Sequence, residues 1–253
     1  MIARVPEHKS TPPAALPALG GVLKQTAHAS VLDTLRRAIL GGIIEAGTPL
    51  IQSELSARLG VSKTPIREAI RDLAAEGLID FDSYRSSVVH TPTIGEAREI
   101  YQLRLVLEPI AVRRAVENIS DEAIAQADSL TREMRRTTDV SDWLALNHDF
   151  HDVLTSPAGT TRLLSIIDGL RNAAAIQIAW SFKASGSQME GANADHELIV
   201  DAYRRRDADA AVEATEHHLR ATLETVERFE RDRAGADGNG DAAAAAAPFE
   251  PAA

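Results

Sequence analysis

The sequence predicts a mainly α protein: an N-terminal winged helix-turn-helix domain with a small β-hairpin, followed by an all-α antiparallel helical bundle. Three observations predict it. Aromatic residues are only 4% of the chain and alanine is abundant, which favours helices packed closely on small residues over a β-sandwich. Two short helical patterns separated by a three-residue turn precede a pair of strand-like runs. From residue 94 onward, apolar residues recur at helical spacing in six successive segments.

The 253 residues, 44% of them hydrophobic, suffice for two modest cores. Residues 1–28, with Pro12, Pro13, Pro17, Gly20 and Gly21, read as a disordered arm, and residues 232–253 as a disordered Ala/Gly-rich tail. Between them lie two expected domains, short helices with a hairpin over 29–92 and long amphipathic helices over 93–231. Cysteine is absent, which excludes disulfides and thiolate metal sites. No window approaches the ~18 uncharged apolar residues of a membrane span, so the expectation is a soluble, unprocessed, cytoplasmic protein. A formal charge of −10 excludes nucleic-acid coating by overall basicity, so any DNA contact must be local.

Val31, Leu35, Ala38 and Ile39 set the apolar face of the first helix, which Gly41-Gly42 ends. The second helix spans Gln52 to Leu59 and stops at Gly60; Ser62 is a suitable N-cap for the third, Lys63 to Glu76. Pro65 is tolerated there because first-turn amides have no intrahelical partner. Leu78-Ile79-Asp80-Phe81 and Ser87-Val88-Val89 then flank a polar stretch and form the wing.

Lys63, Arg67 and Arg71 fall at i, i+4 and i+8 on the third helix, while Ile66, Ile70 and Leu73 face inward. The helix N-terminus suits a phosphate oxygen, Ser62 and Thr64 offer hydroxyls, and Arg67 is placed to read a guanine edge. The plainer alternative is a solvated surface helix whose arginines pair with Glu68 and Asp72.

The wording of this block resembles a known family. Ala38-Ile39-Leu40-Gly41-Gly42, the run from Glu54 to Ala69 containing Val61-Ser62-Lys63-Thr64-Pro65-Ile66-Arg67, and Glu76-Gly77-Leu78-Ile79 are similar to the winged helix of GntR-family bacterial regulators. The resemblance implies operator contacts by Lys63, Thr64 and Arg67 and a wing tip near Arg85 entering the minor groove. Two positions depart from the pattern: Ala46-Gly47 stands for Pro-Gly, and Ser86 for the wing-tip glycine.

In the second block, helices are expected at Ile94 to Asn118, Asp121 to Thr137, Asp142 to Leu154, Thr161 to Trp180, Asp195 to Arg206 and Asp207 to Phe229. Asn147 and His151 share a face with Trp143, Leu144 and Leu154, whereas Asp149 lies opposite. His196 lies 11 residues before Asp207 and His218 lies 11 after it. On antiparallel helices both would stand level, ~16 Å from the turn, facing each other. His217 is displaced toward solvent. Three imidazoles and an amide oxygen suit Zn²⁺ or another borderline divalent ion, against the plainer reading of satisfied core histidines.

This half is similar to the FCD ligand-sensing domain of the FadR subfamily, through Arg104-Leu105-Val106-Leu107-Glu108, Phe150-His151-Asp152-Val153-Leu154, and the separated His196 and His218. The resemblance implies a divalent metal, zinc with nickel or manganese as alternatives, held by Asn147, His151, His196 and His218, beside a carboxylate effector. Asn147 replaces the family's aspartate, and His148 is an alternative ligand. Arg104 reads either as an i,i+4 ion pair with Glu108 or as a clamp for the effector carboxylate. Family and operator symmetry imply a homodimer. The expected function is a non-enzymatic repressor that binds double-stranded operator DNA and is released by its effector. A metal-free regulator is the main alternative. A histidine-metal hydrolase is disfavoured, because no carboxylate base is apparent beside the inward histidines: Asp149 faces away and Glu197 is offset.

Overall fold

The computed structural model describes residues 27–81, 86–184 and 187–237. The first unit comprises α1 (Ala27–Leu40), α2 (Gln52–Leu59), α3 (Lys63–Ala75), β1 (Ile79–Phe81) and β2 (Ser87–Val89). α1 starts two residues ahead of the expected boundary at 29. Gly60, in the left-handed conformation at φ 66°, ends α2, and its N–H donates to Ser56 O; Ser56 Oγ donates to Val61 O across the turn. The wing strands pair antiparallel, Ile79 opposite Val89 and Phe81 opposite Ser87. Leu35, Ile39, Ile66, Ile70 and Leu73 are buried together, each contributing about 1.5–3 kcal/mol of burial free energy.

The second unit contains α4 (Ile94–Asn118), α5 (Asp121–Met134), α6 (Val140–Thr155), a 3-10 turn over Ser156–Ala158, α7 (Thr161–Ala184), α8 (Ser187–Arg204) and α9 (Ala208–Asp237). Side-chain caps fix four starts: Thr93 accepts from Glu96 N, Ser120 from Ala123 N, Asp139 from Asp142 N and Asp207 from Ala210 N. Asp139 therefore starts α6 two residues before the expected Asp142. α4 packs along α9, α8 against α9, and α5 against α6. Trp143, Phe150 and Tyr203 are fully buried among them.

One boundary departs substantially from expectation. α8 begins at Ser187, not Asp195, so Asp195 is an interior residue instead of the first. Its short side chain resembles an N-cap in sequence, and residues 187–194 carry too few apolar side chains to announce a helix. α9 likewise continues to Asp237, beyond the expected end of the domain at 231.

The two units meet where α1 rests on α6 and α7. Arg37 Nη1 donates to Asp142 at 2.5 Å, and Gly77, at φ 77°, lies against Ala173. His90 ties the wing to the bundle: Nδ1 is 2.8 Å from Asp80 and Nε2 is 2.9 Å from Glu96. Burial opposes its charge, but both carboxylates favour it and the net shift is upward from 6.5. A raised folded pKa gives a contribution that is complete below 6.5 and lost as pH rises through the folded value. With Asp80 more than half exposed, the effect is at most about 1 kcal/mol. The His90 contribution to the thermal midpoint is therefore expected to fall as pH rises from 6.5, and His90→Ala removes that part of the pH dependence.

Candidate functional site

Ser62, Lys63, Thr64, Arg67 and Arg71 are all exposed on α3, opposite buried Ile66, Ala69, Ile70 and Leu73. Among the described residues none of the three cations has an ion-pair partner. Asp72, the suggested partner, instead meets His28 Nε2 at 2.8 Å. The ladder of free charge is thus available to an outside polyanion. Ser62 has the extended N-cap backbone, but its side chain makes no capping hydrogen bond, which corrects the expectation of a capped start and leaves the hydroxyl open. The wing-tip residue Arg85 lies outside the described residues.

Deep in the bundle, α6, α8 and α9 bring His151, His196 and His218 together. One ligand-capable nitrogen from each lies within 4.8 Å of the others. Ring centroids are 4.7 Å apart for His196 and His218, 5.4 Å for His151 and His196, and 5.5 Å for His151 and His218. All three are buried. His151 Nε2, both nitrogens of His196, and His218 Nδ1 lack a hydrogen-bond partner among the described residues. Phe150 and Trp143 pack against the His196 ring, the latter stacked at 5.8 Å, and Trp143 Nε1 donates to Asn193. Burial, reinforced for His151 by nearby Arg171 and for His196 by His218, holds both of these imidazoles far below their usual pKa. They are neutral, with free lone pairs. Unpaired buried nitrogens are uncommon in a finished core, where each costs about 1–3 kcal/mol.

Asn147 lines the same cavity, and its Oδ1 is buried without a partner. His148 turns the other way, 43% exposed and 3.7 Å from Asp168, so it does not join the triad. A carboxylate does stand beside the histidines, correcting the expectation of none: Asp195 Oδ2 is 3.4 Å from His218 Nδ1, while exposed His217 approaches its other oxygen at 3.6 Å. That separation lies within ion-pair range but lacks hydrogen-bond alignment. Asp149 and Glu197 are exposed, and Glu197 pairs with Arg135.

Arg104 is buried and donates to Glu108 at 2.8 Å, and its guanidinium lies 4.9 Å from the Tyr101 ring centroid. Glu108 receives a second guanidinium, Arg171 Nη2, also at 2.8 Å. Burial would raise the Glu108 pKa, but Arg171 and Arg104 outweigh it and hold the carboxylate down at about 2. Two cations on one anion leave this wall of the cavity with a surplus positive charge. Arg171 Nε is buried and unpartnered. The sequence carried no signal for Arg171, because its partner is 63 residues away.

Residues 27–89 match the family described as bacterial regulatory proteins, gntR family, and residues 99–221 match the FCD domain. The HTH-type transcriptional repressor RspR of Escherichia coli K12 is 28% identical over 211 residues, 82% of this chain and 92% of the relative. The gluconate operon transcriptional repressor of Bacillus licheniformis is 29% identical, covering 69% and 74% respectively. The solved structure of E. coli McbR/YncC shares the fold at a TM-score of 0.70 and 19% identity, over 80% of this chain and 98% of that one. The chain belongs to the GntR family of bacterial regulatory proteins and joins its winged helix to an FCD domain.

Proposed function

We propose that this protein is a transcriptional repressor whose operator affinity falls when a carboxylate effector binds beside a divalent metal in the FCD domain. The observation that carries the reading is the convergence of three buried imidazoles with unpartnered nitrogens. Neutral nitrogen donors fit zinc, with nickel or manganese as alternatives, and such an ion would supply a positive centre with open positions for an anion. His151, His196 and His218 would hold it, with Asn147 Oδ1 as the fourth donor. Asp195 then serves to orient His218. An amide in place of a carboxylate leaves more of the ion's charge uncompensated, favouring an anionic effector. Arg104 and Arg171 add to that preference. The names of relatives, which include the gluconate operon repressor and a probable D-xylose utilization operon repressor of Paenarthrobacter nicotinovorans, support the repressor reading.

Lys63, Thr64 and Arg67 would contact the operator, with Ser62 and Arg71 on phosphates and Arg85 at the wing tip. A homodimer is the natural reader of a two-fold operator. Exposed Leu103, Val106 and Ile110, at i, i+3 and i+7 on α4, offer an apolar stripe to the second copy.

The test uses an operator selected from random-sequence DNA with the full chain. Arg67→Ala is expected to weaken operator binding by roughly 5- to 150-fold, the 1–3 kcal/mol of one bidentate base contact. Zinc-loaded wild type is expected to release the operator when citrate, lactate or D-gluconate is added, and His151→Ala is expected to abolish the response. Release by none of the acids would overturn the effector assignment; unchanged binding by Arg67→Ala would overturn the recognition-helix assignment.

A further inference from the structure

The histidine cavity is too small for the effector it would sense. Its free volume is about 20 Å³, room for little more than one water or an ion. Beside it lies a cleft of about 380 Å³, bounded by α1 and the end of α3 on one side and by α6 and α7 on the other. This is the size of a small-molecule site. Cavity and cleft share three wall residues: Asn147, Arg171 and Ile178.

The throat between them is chemically unfinished. Asn147 Oδ1 and Arg171 Nε are both buried and unpartnered, one an acceptor and the other a cationic donor. Arg171 is 9% exposed and held by Glu108 through Nη2, which leaves its Nε edge free for an anion. Most other charges lining the cleft are matched: Arg36 with Glu76 at 2.5 Å, Arg37 with Asp33 at 3.1 Å, and His148 with Asp168 at 3.7 Å, while Asp149 adds an exposed negative charge. A second anionic group farther along the cleft would meet Asp149 or have to break one of these pairs, whereas an uncharged polar chain would do neither.

We propose that the effector spans both domains: an acid whose carboxylate sits at Arg171 in the throat and whose uncharged tail lies in the interdomain cleft against α1. The assignment rests on the repressor reading above and adds where the effector lies and what shape it has. Its consequence is direct contact with the DNA-binding unit. α1 packs on α3, which carries Arg67, so a tail wedged between α1 and α7 acts on the recognition helix without relay through the bundle. Arg37 on α1, which lines the cleft, and Asp142 on α6 are the pair a wedge would separate.

The test compares two probes on the zinc-loaded full chain by calorimetry: acetate, an acid head alone, and D-gluconate, the same head with an uncharged hydroxylated tail. Ala175→Trp narrows the cleft from α7. Ala145→Trp does so from an exposed position on α6 and keeps the test valid should the first variant misfold. D-gluconate affinity is expected to fall at least about tenfold in both variants, with acetate affinity held within about twofold. D-gluconate, and not acetate, is expected to slow amide exchange in α1. Equal loss of both acids, loss of neither, or failure of both to bind wild type that retains zinc would overturn the spanning site while leaving the metal site standing. Failure to take up zinc would remove the reading on which it rests.

Discussion

Glu108→Ala is expected to destabilise the protein by about 3–5 kcal/mol, the cost of stranding buried cations whose shared anion has been removed. Glu108 is fully buried and holds Arg104 and Arg171 at 2.8 Å each, so its loss leaves two guanidiniums unpaired in the bundle. Exposed pairs such as Arg37 with Asp33 do not compare, because solvent screens them to below about 1 kcal/mol. A domain of this size should lose roughly 10 °C or more in thermal midpoint. The same residue gives an acid signature. Its pKa, lowered from 4.5 to about 2, means that its stabilisation is complete above 4.5 and is lost as pH falls through about 2. Wild type should therefore lose on the order of 3 kcal/mol more than Glu108→Ala across that interval, read by urea unfolding at each pH. Parallel pH profiles for the two proteins would show that Glu108 is not the ionised centre of the cluster.

The parts of the molecule legible in the sequence are those set by local periodicity. The stripe of Lys63, Arg67 and Arg71 over Ile66, Ile70 and Leu73 follows from 3.6 residues per turn. The facing of His196 and His218 follows from their equal distance from the Asp207 turn, since two antiparallel helices have the same rise. Features made by long-range docking were not legible. Arg171 meets Glu108 only because α7 crosses α4. The cleft exists only because α1 rests on α6 and α7. Asp195 was obscured by chemistry: a residue that so often stands at a helix start lies here within α8, where its carboxylate meets His218. The neighbours Asn147 and His148 could not be separated by composition. Rotation about α6 puts the amide on the cavity and the imidazole beside Asp168.

The second large effect concerns the triad itself. His151→Ala and His196→Ala remove two imidazoles that are neutral and aimed at a common point, and no nearby side chain replaces them. Of the three histidines Asp195 pairs with His218, and His148 faces the cleft. Two ligands lost from a set of three histidines should leave too few donors to retain an ion through purification. The decisive measurement is elemental analysis of the purified full chain beside the His151→Ala/His196→Ala double variant, both prepared without chelator or affinity-resin metal. One divalent ion per chain in wild type and none in the variant is the expected result. No metal in either protein, or equal metal in both, would contradict the metal site and leave these histidines as core residues or direct effector contacts.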